Sequence, residues 1–233
     1  SGYKLLRPVA QGGVDYLESH RNADHVWRYQ PRGGDNDTSI TSWALMAYRT
    51  ADHFGLKVNK KALAAGARWL DEVSDPSGRH GYTKKGERSS RHPGDHATRF
   101  PVTEAEAMTA VGLFCRFFLG QDPRDKPVMM AAADLIRAKP PAWRWKQGSI
   151  DHYYWYWASH AMFQMGGEYW AEWERHLAAA VLRNQNDALQ SKSLAGSWDP
   201  VGVWGVDGGR VYSTAMLTLA LESGYRYTRY VVR

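Results

Sequence analysis

Helical segments of two kinds alternate along the chain, and this alternation constrains the fold most. Four segments are apolar or small on nearly every side: residues 38–54, 103–119, 151–165 and 211–225. Four others carry a single apolar stripe: residues 8–19, 60–73, 126–138 and 168–185. A helix that is apolar all round must be covered by protein, whereas a one-sided helix can border solvent. No stretch alternates with the two-residue period of a strand. The sequence therefore predicts an all-α fold with an inner and an outer layer of helices.

The turns that precede the inner segments share one composition, Gly or Pro beside aromatic side chains. Their aromatic residues are Trp27, Tyr29, Tyr82, Trp143, Trp145 and Trp198. They account for part of an unusual aromatic content of 11 Trp, 13 Tyr and 6 Phe. Such repetition indicates an internal repeat, and hairpins of one apolar and one amphipathic helix bury most surface by curving around an axis. We predict one domain over residues 1–233, an α/α toroid or partial toroid of about four hairpins.

Local signals place several helix ends. Asp37 is suited to cap a helix that opens at Thr38, and residues 103–106, Thr-Glu-Ala-Glu, match a capping box. Gly55 and Gly120 follow two inner segments and are suited to the exit turns.

Composition excludes several classes of protein. The hydrophobic content of 43% is that of a globular chain, and a single cysteine rules out an internal disulfide framework. No run of 18 apolar residues exists, so we expect a soluble protein without a membrane span. The net charge of +6 is scattered, and this favours a solvated surface over a nucleic-acid partner. The compartment, and whether the domain belongs to a longer polypeptide, stay open.

Three segments, residues 34–45, 195–200 and 209–215, resemble repeats of the prenyltransferase/squalene-cyclase superfamily. Gln185 followed by Gly196-Ser197-Trp198 is similar to the Gln-Trp motif of that superfamily, with a longer insertion. The resemblance implies an α/α toroid. It does not fix an activity, because the superfamily contains both enzymes and non-enzymes.

The catalytic motifs that the resemblance implies are incomplete. Class II terpene cyclases carry Asp-x-Asp-Asp, and residues 35–38, Asp-Asn-Asp-Thr, keep two of its acids. The resemblance would make Asp37 the proton donor and Asp35 its assistant, although a helix cap and a turn are ordinary uses of both. The zinc set of protein prenyltransferases lacks its Cys, replaced by Tyr153, and its His, replaced by Ser213. The thioester motif is missing, and Cys115 suits core packing.

Residues 91–96, Arg-His-Pro-Gly-Asp-His, supply three candidate metal ligands, His92, Asp95 and His96, and His80 could be a fourth. Their spacing matches no known metal motif, and a polar Pro-Gly loop is ordinarily exposed to solvent. We therefore predict no metal and no cofactor.

In a toroid the N-termini of the inner helices gather at one end, where candidate side chains can meet around a concave mouth. The candidate ligand-binding residues are Trp43, Glu104, Glu106, Asp151, His152, Tyr153, Trp157, Trp198 and Tyr212. The five consecutive aromatics at 153–157 cannot share one helix face. We expect Tyr153, Tyr156 and Trp157 on one side, and Tyr154 and Trp155 turned elsewhere.

The leading hypothesis is a non-catalytic binding module that uses this mouth for a peptide, an isoprenoid or a glycan. One alternative is a class II terpene-cyclase-like enzyme that protonates an isoprenoid with Asp37. Another is a carbohydrate-active α/α barrel, in which Glu104 or Glu106 pairs with a second carboxylate as acid and base.

Overall fold

A computed structural model describes residues 3–189 and 191–229, and within these ranges the chain is helical without a β-strand. The prediction of an all-α fold is confirmed. The α-helices are α1 (Tyr3–His20), α2 (Thr38–His53), α3 (Lys60–Val73), α4 (Asp95–Arg99), α5 (Ala107–Phe118), α6 (Pro127–Arg137), α7 (His152–Met165), α8 (Gly167–Leu182), α9 (Gly205–Leu221) and α10 (Ser223–Arg226). Short 3-10 turns occupy Val102–Glu104 and Trp145–Gln147. In the described ranges, no helix combines the length and the apolar character needed to cross a membrane.

The four predicted inner helices form a row in which α2 packs on α5, α5 on α7, and α7 on α9. The one-sided helices flank this row: α1 and α3 pack on α2, α6 on α5 and α7, and α8 on α7 and α9. Every residue of α5 is buried, and so is every residue of α7 except Tyr153. The core of the protein therefore lies around α5 and α7, as their apolar sequences predict.

The end members of the row, α2 and α9, are only partly covered. Trp43 on α2 is 42% exposed, and Val211 on α9 is 83% exposed. The prediction that all four inner segments are surrounded is therefore right for α5 and α7 and wrong for α2 and α9. Each end helix has an inner-helix neighbour on one side, and among the described residues α2 and α9 make no extensive contact with each other.

Helix ends follow the local signals at some places and depart from them at others. Asp37 caps α2, since its Oδ1 accepts a hydrogen bond from the backbone N–H of Ile40 at 2.7 Å. Gly55 and Gly120 have positive φ after α2 and α5, as predicted. The capping box at 103–106 is wrong: α5 begins at Ala107. The Glu106 carboxylate binds arginines instead of reaching back to the N–H at residue 103.

Helix α9 also differs from its predicted range of 211–225. It begins at Gly205 and kinks at Gly209, where φ is 63°. A Cβ on Gly208 would lie 2.4 Å from Cβ of Tyr212, so glycine allows the entry turn to pack against the helix. Periodicity missed this first part because three of its residues are glycines and its side chains are largely exposed.

Two turn tryptophans make the same hydrogen bonds in the first and the last hairpin. In each case the indole donates to a carbonyl near the end of the preceding outer helix, and the backbone N–H donates to a threonine hydroxyl of the following inner helix. The bonds are Trp27 Nε1 to Leu17 O (2.8 Å), Trp27 N to Thr41 Oγ1 (3.2 Å), Trp198 Nε1 to Val181 O (2.8 Å) and Trp198 N to Thr214 Oγ1 (3.2 Å). The two hairpins thus share one local scaffold.

The aromatic run at 153–157 divides as its helical spacing predicts. The ring centroid of Trp157 lies 6.1 Å from that of Tyr153 and 5.3 Å from that of Tyr156. Tyr154 turns toward α8, where its ring lies 5.7 Å from that of Trp173. Trp155 packs near Trp143 of the preceding loop. The prediction for this run is confirmed.

Candidate functional site

A cavity of about 370 Å³ lies where the N-terminal ends of the four inner helices meet. The helices contribute Ser39 from α2, Ala107 and Met108 from α5, Tyr153 from α7, and Asp207, Gly208 and Tyr212 from α9. The loops complete the wall with Tyr29, Tyr82, Ser89, Ser90, Arg91 and Trp204. One cavity therefore draws on every inner helix and on the turns that enter them.

Two phenols define the inner part of this cavity. The Tyr153 Oη and Ser39 Oγ atoms are hydrogen-bonded at 2.8 Å, and this bond joins α7 to α2. The Tyr212 hydroxyl is buried and has no hydrogen-bond partner in the described part of the chain. Burial raises the pKa of both Tyr153 and Tyr212 well above the usual value for a phenol. Both phenols therefore remain protonated and can donate as well as accept hydrogen bonds.

Arg91 links the cavity to the start of α7. Its Nη2 lies 3.3 Å from Oδ2 of Asp151, and its Nε donates to the carbonyl of Phe100 at 3.1 Å. Asp151 also caps α7, because its Oδ1 accepts from the backbone N–H of Tyr154 at 3.0 Å. The Arg91 side chain is 4% exposed and that of Asp151 is 1% exposed. Burial raises the pKa of Asp151, and the nearby Arg91 opposes that rise. Asp151 thus supports the cavity through Arg91 and does not line it.

A hydrogen bond spans the rim of the cavity. His92 Nε2 lies 3.0 Å from Oδ2 of Asp207, and both side chains are about half exposed. The His92 ring also packs edge-on against Trp204, with centroids 5.5 Å apart. These contacts hold the loop before α4 against the first turn of α9.

The two aspartates of the partial cyclase motif have different environments. Asp37 is fully buried; its Oδ2 has no hydrogen-bond partner among the described residues and lies 3.9 Å from Nε of Arg28. Burial raises the pKa of Asp37. Asp35 is 76% exposed and pairs with Arg28 at 3.3 Å. Neither aspartate lines the cavity.

The two glutamates before α5 do not face the cavity either. Glu106 is buried, and its carboxylate accepts hydrogen bonds from Arg79 Nη2 and from Arg88 Nη1, each at 3.0 Å. Glu104 is partly exposed, with Oε1 4.0 Å from Nζ of Lys139. Among the described residues, Asp207 is the only acidic side chain in the cavity lining. No pair of carboxylates therefore faces a ligand there.

Three candidate tryptophans take other positions. Trp43 lines a separate groove of about 1060 Å³ between α1 and α2. Trp157 is fully buried, packed edge-on against Trp43 with centroids 4.8 Å apart. Trp198 is buried in the turn scaffold described above. Of the candidate residues, Tyr153 and Tyr212 are the ones that the structure places in the cavity wall.

The candidate histidines have packing and pairing contacts. His152 is buried beside Trp143 and Trp155, and burial lowers its pKa to about 4. His96 Nε2 lies 2.7 Å from the carbonyl oxygen of Val203. Asp95 opens the short helix α4 at the surface. In the part of the chain that the structure describes, His92, Asp95 and His96 do not form a group that could hold a metal ion.

Several wall residues were not candidates on sequence grounds. They are Tyr29, Tyr82, Ser89, Ser90, Arg91, Trp204 and Asp207. Tyr29 and Tyr82 belong to the aromatic turns, and this shared position was the signal that could have identified them. The others lie in a loop or at an irregular helix start, where periodicity gives no direction for a side chain.

A comparison of the sequence with protein-family models finds no match, and a comparison with curated proteins finds none either. The cavity wall offers aromatic faces, hydroxyl groups, an arginine paired with Asp151, and Asp207, which is hydrogen-bonded to His92.

Proposed function

We propose that the chain is an α/α toroid, or an arc of one, of the prenyltransferase/squalene-cyclase type. The alternating order of inner and outer helices supports this architecture. Further support comes from Trp27 and Trp198, which make the same two hydrogen bonds in the first and last hairpins. A repeat-built row of hairpins with one cavity at the starts of its inner helices is the arrangement expected of such a fold.

We further propose that the protein is a binding module that takes a small ligand in the cavity at the inner-helix starts. The observation that carries this proposal is the contribution of all four inner helices to one cavity of about 370 Å³. Small-molecule sites typically occupy about 300–1,000 Å³ and combine apolar walls with a few polar groups. The second, larger groove between α1 and α2 is less suited, because its lining is mainly aliphatic and offers few groups that would orient a small molecule.

The chemistry of the wall favours binding over catalysis. A general acid or base needs a pKa near the working pH. Tyr153 and Tyr212 have pKa values raised far above that range, and Arg91 is paired with Asp151. Asp207 is half exposed and hydrogen-bonded to His92. These groups are suited to form hydrogen bonds with a ligand that is released chemically unchanged.

A blocking substitution tests the proposal. Ser90 is exposed at the cavity wall, so Ser90→Trp should fill the entrance without disturbing the core. Ser193→Trp, at an exposed site outside the lining, is the matched control. We expect ligands found by saturation-transfer NMR in a fragment library to bind the wild type and Ser193→Trp, and to lose binding to Ser90→Trp. A library without ligands, or ligands that bind Ser90→Trp equally well, would contradict the proposal.

Asp37 favours a second candidate function, isoprenoid cyclisation by protonation. Burial raises the pKa of its carboxyl group and so favours the protonated form that a proton donor needs, and its Oδ2 has no hydrogen-bond partner among the described residues. The test is incubation with squalene and with geranylgeraniol, followed by mass spectrometry and chromatography. A cyclised product from the wild type and none from Asp37→Asn, which keeps the helix cap, would support this candidate. No product from the wild type would exclude it for these substrates.

A further inference from the structure

The cavity wall carries enough chemistry to indicate the class of its ligand. We propose that the cavity binds an uncharged ring that bears several hydroxyl groups, a sugar unit of a mono- or disaccharide. This inference rests on the proposed binding function and names the ligand class of the same site. Its three supports are the pairing of the charges, the hydroxyl content of the wall and the aromatic faces.

The two charged side chains of the wall already have partners within the protein, Asp151 for Arg91 and His92 for Asp207, and this favours an uncharged ligand. The Arg91 guanidinium lies 3.3 Å from the Asp151 carboxylate, and the Asp207 carboxylate lies 3.0 Å from His92. An anionic ligand would compete with Asp151 for Arg91, and a cationic ligand would compete with His92 for Asp207. A neutral ligand can accept hydrogen bonds from the remaining guanidinium N–H groups without breaking either pair.

Hydroxyl groups give a mainly apolar wall a few hydrogen-bonding positions, and this suits a ring with apolar faces and polar edges. Seven of the thirteen lining residues carry a hydroxyl group, three serines and four tyrosines. The Tyr212 hydroxyl is buried and lacks a partner within the described residues. Sugar hydroxyls donate and accept, and so can pair with hydroxyls of either orientation. An isoprenoid would make no hydrogen bond to the Tyr212 hydroxyl and would leave it unpaired, which is costly.

Aromatic faces supply the apolar side of the site. Tyr29 is 67% exposed, and Tyr82 and Trp204 are partly exposed, so their rings are available to a ligand. Met108 adds an apolar patch from the start of α5. The C–H faces of a sugar ring are apolar and pack flat on an aromatic ring, while the hydroxyls at the ring edge reach polar groups. The limited volume of about 370 Å³ restricts the ligand to a small saccharide or to the end of a longer chain.

The experiment compares ligand classes on the intact chain. The probes are the neutral disaccharides cellobiose, maltose and lactose, with glucuronic acid, farnesol and N-acetyltyrosine amide as representatives of anionic, isoprenoid and peptide ligands. Binding is measured by saturation-transfer NMR and calorimetry. We expect at least one neutral disaccharide to bind. Because an uncharged sugar forms no ion pair with the protein, its affinity should change little with salt concentration.

Two substitutions place the saccharide in the cavity. Trp204→Ala should weaken binding about tenfold by removing an aromatic face. Tyr212→Phe removes only a hydroxyl, leaves the fold unchanged, and should weaken binding about threefold to tenfold. Tyr225→Phe, at a side chain that is 87% exposed and outside the lining, is the matched control and should have no effect. Circular dichroism checks that each variant is folded.

The outcomes separate this inference from the proposed function. If no disaccharide binds, or if binding is unaffected by Tyr212→Phe and Trp204→Ala, the sugar inference is overturned. Binding of farnesol, glucuronic acid or N-acetyltyrosine amide that Ser90→Trp abolishes would overturn the ligand class and leave the binding function standing. If Ser90→Trp changes the binding of no probe, both proposals fail.

Discussion

Glu106 gives the sharpest test of the distinction between structural and ligand-facing carboxylates. It lies directly before α5 and is 5% exposed. Its carboxylate accepts hydrogen bonds from Arg79 Nε and Nη2, Arg88 Nη1 and Thr109 Oγ1, all between 3.0 and 3.3 Å. These bonds hold Arg88 against the start of α5, and the next residue, Ser89, belongs to the cavity wall. Glu106 is therefore a structural residue.

The magnitude follows from what Glu106→Gln would leave behind. Removal of one partner from a buried ion pair costs about 3–5 kcal/mol, because the remaining charge is left without compensation. The side chains of Arg79 and Arg88 are 20% and 29% exposed and can reach water, which moves the expected loss to the lower end of that range. We expect a loss of about 3 kcal/mol in the free energy of unfolding, and hence a Tm lower by roughly 6–12 °C.

The assay is urea denaturation followed by tryptophan fluorescence, with thermal unfolding as a second measurement. Glu104→Gln is the matched control, since Glu104 is partly exposed and its nearest cation, Lys139, lies 4.0 Å away. Its loss should stay below about 1 kcal/mol. Equal losses for the two variants, or a loss for Glu106→Gln below about 0.5 kcal/mol, would refute the structural assignment of Glu106.

Three further predictions concern other contacts. Burial raises the pKa of Asp151 in the folded state. The stability linked to this proton is therefore present below the usual Asp pKa and is lost as the pH rises through the raised value. Urea titrations over this pH interval should show that the wild type loses stability relative to Asp151→Asn. Trp27→Phe and Trp198→Phe each remove one indole hydrogen bond, while the accepting carbonyls of Leu17 and Val181 keep a backbone donor. Each variant should therefore cost about 0.5–1.5 kcal/mol by thermal unfolding, and clearly unequal losses would count against a shared scaffold. Gly148→Ala would place Cβ 1.9 Å from the carbonyl oxygen of Arg99, and should destabilise far more than Gly120→Ala, which has the same positive φ and open space.

Much of the helical architecture could be predicted from periodicity. The apolar sequences of α5 and α7 require burial, and both helices are buried. The cap of α2 could also be predicted, because an aspartate acts through a bond to its own third neighbour. The start of α5 could not, because Glu106 binds Arg79 and Arg88, which come to it from a distant part of the chain.

The candidate site was predictable in its place and only partly in its residues. The expectation that inner-helix starts meet at one end pointed to Tyr153 and Tyr212, which lie there on regular helices. Arg91 and Trp204 lie in a loop and at an irregular helix start, whose paths depend on long-range bonds such as that from Arg91 to Phe100. Acidic residues near the helix starts were predicted as site residues, but most of them cap a helix or form an ion pair.

The proposed ligand site is the cavity at the inner-helix starts, and not the groove between α1 and α2. Each of these two spaces contains one partly exposed tryptophan, Trp204 in the cavity and Trp43 in the groove. We would label the tryptophans with fluorine, assign both resonances by Trp204→Phe and Trp43→Phe, and titrate a ligand from the fragment screen by 19F NMR. We expect the Trp204 resonance to shift while that of Trp43 stays in place. A shift of Trp43 with Trp204 unchanged would contradict this proposal.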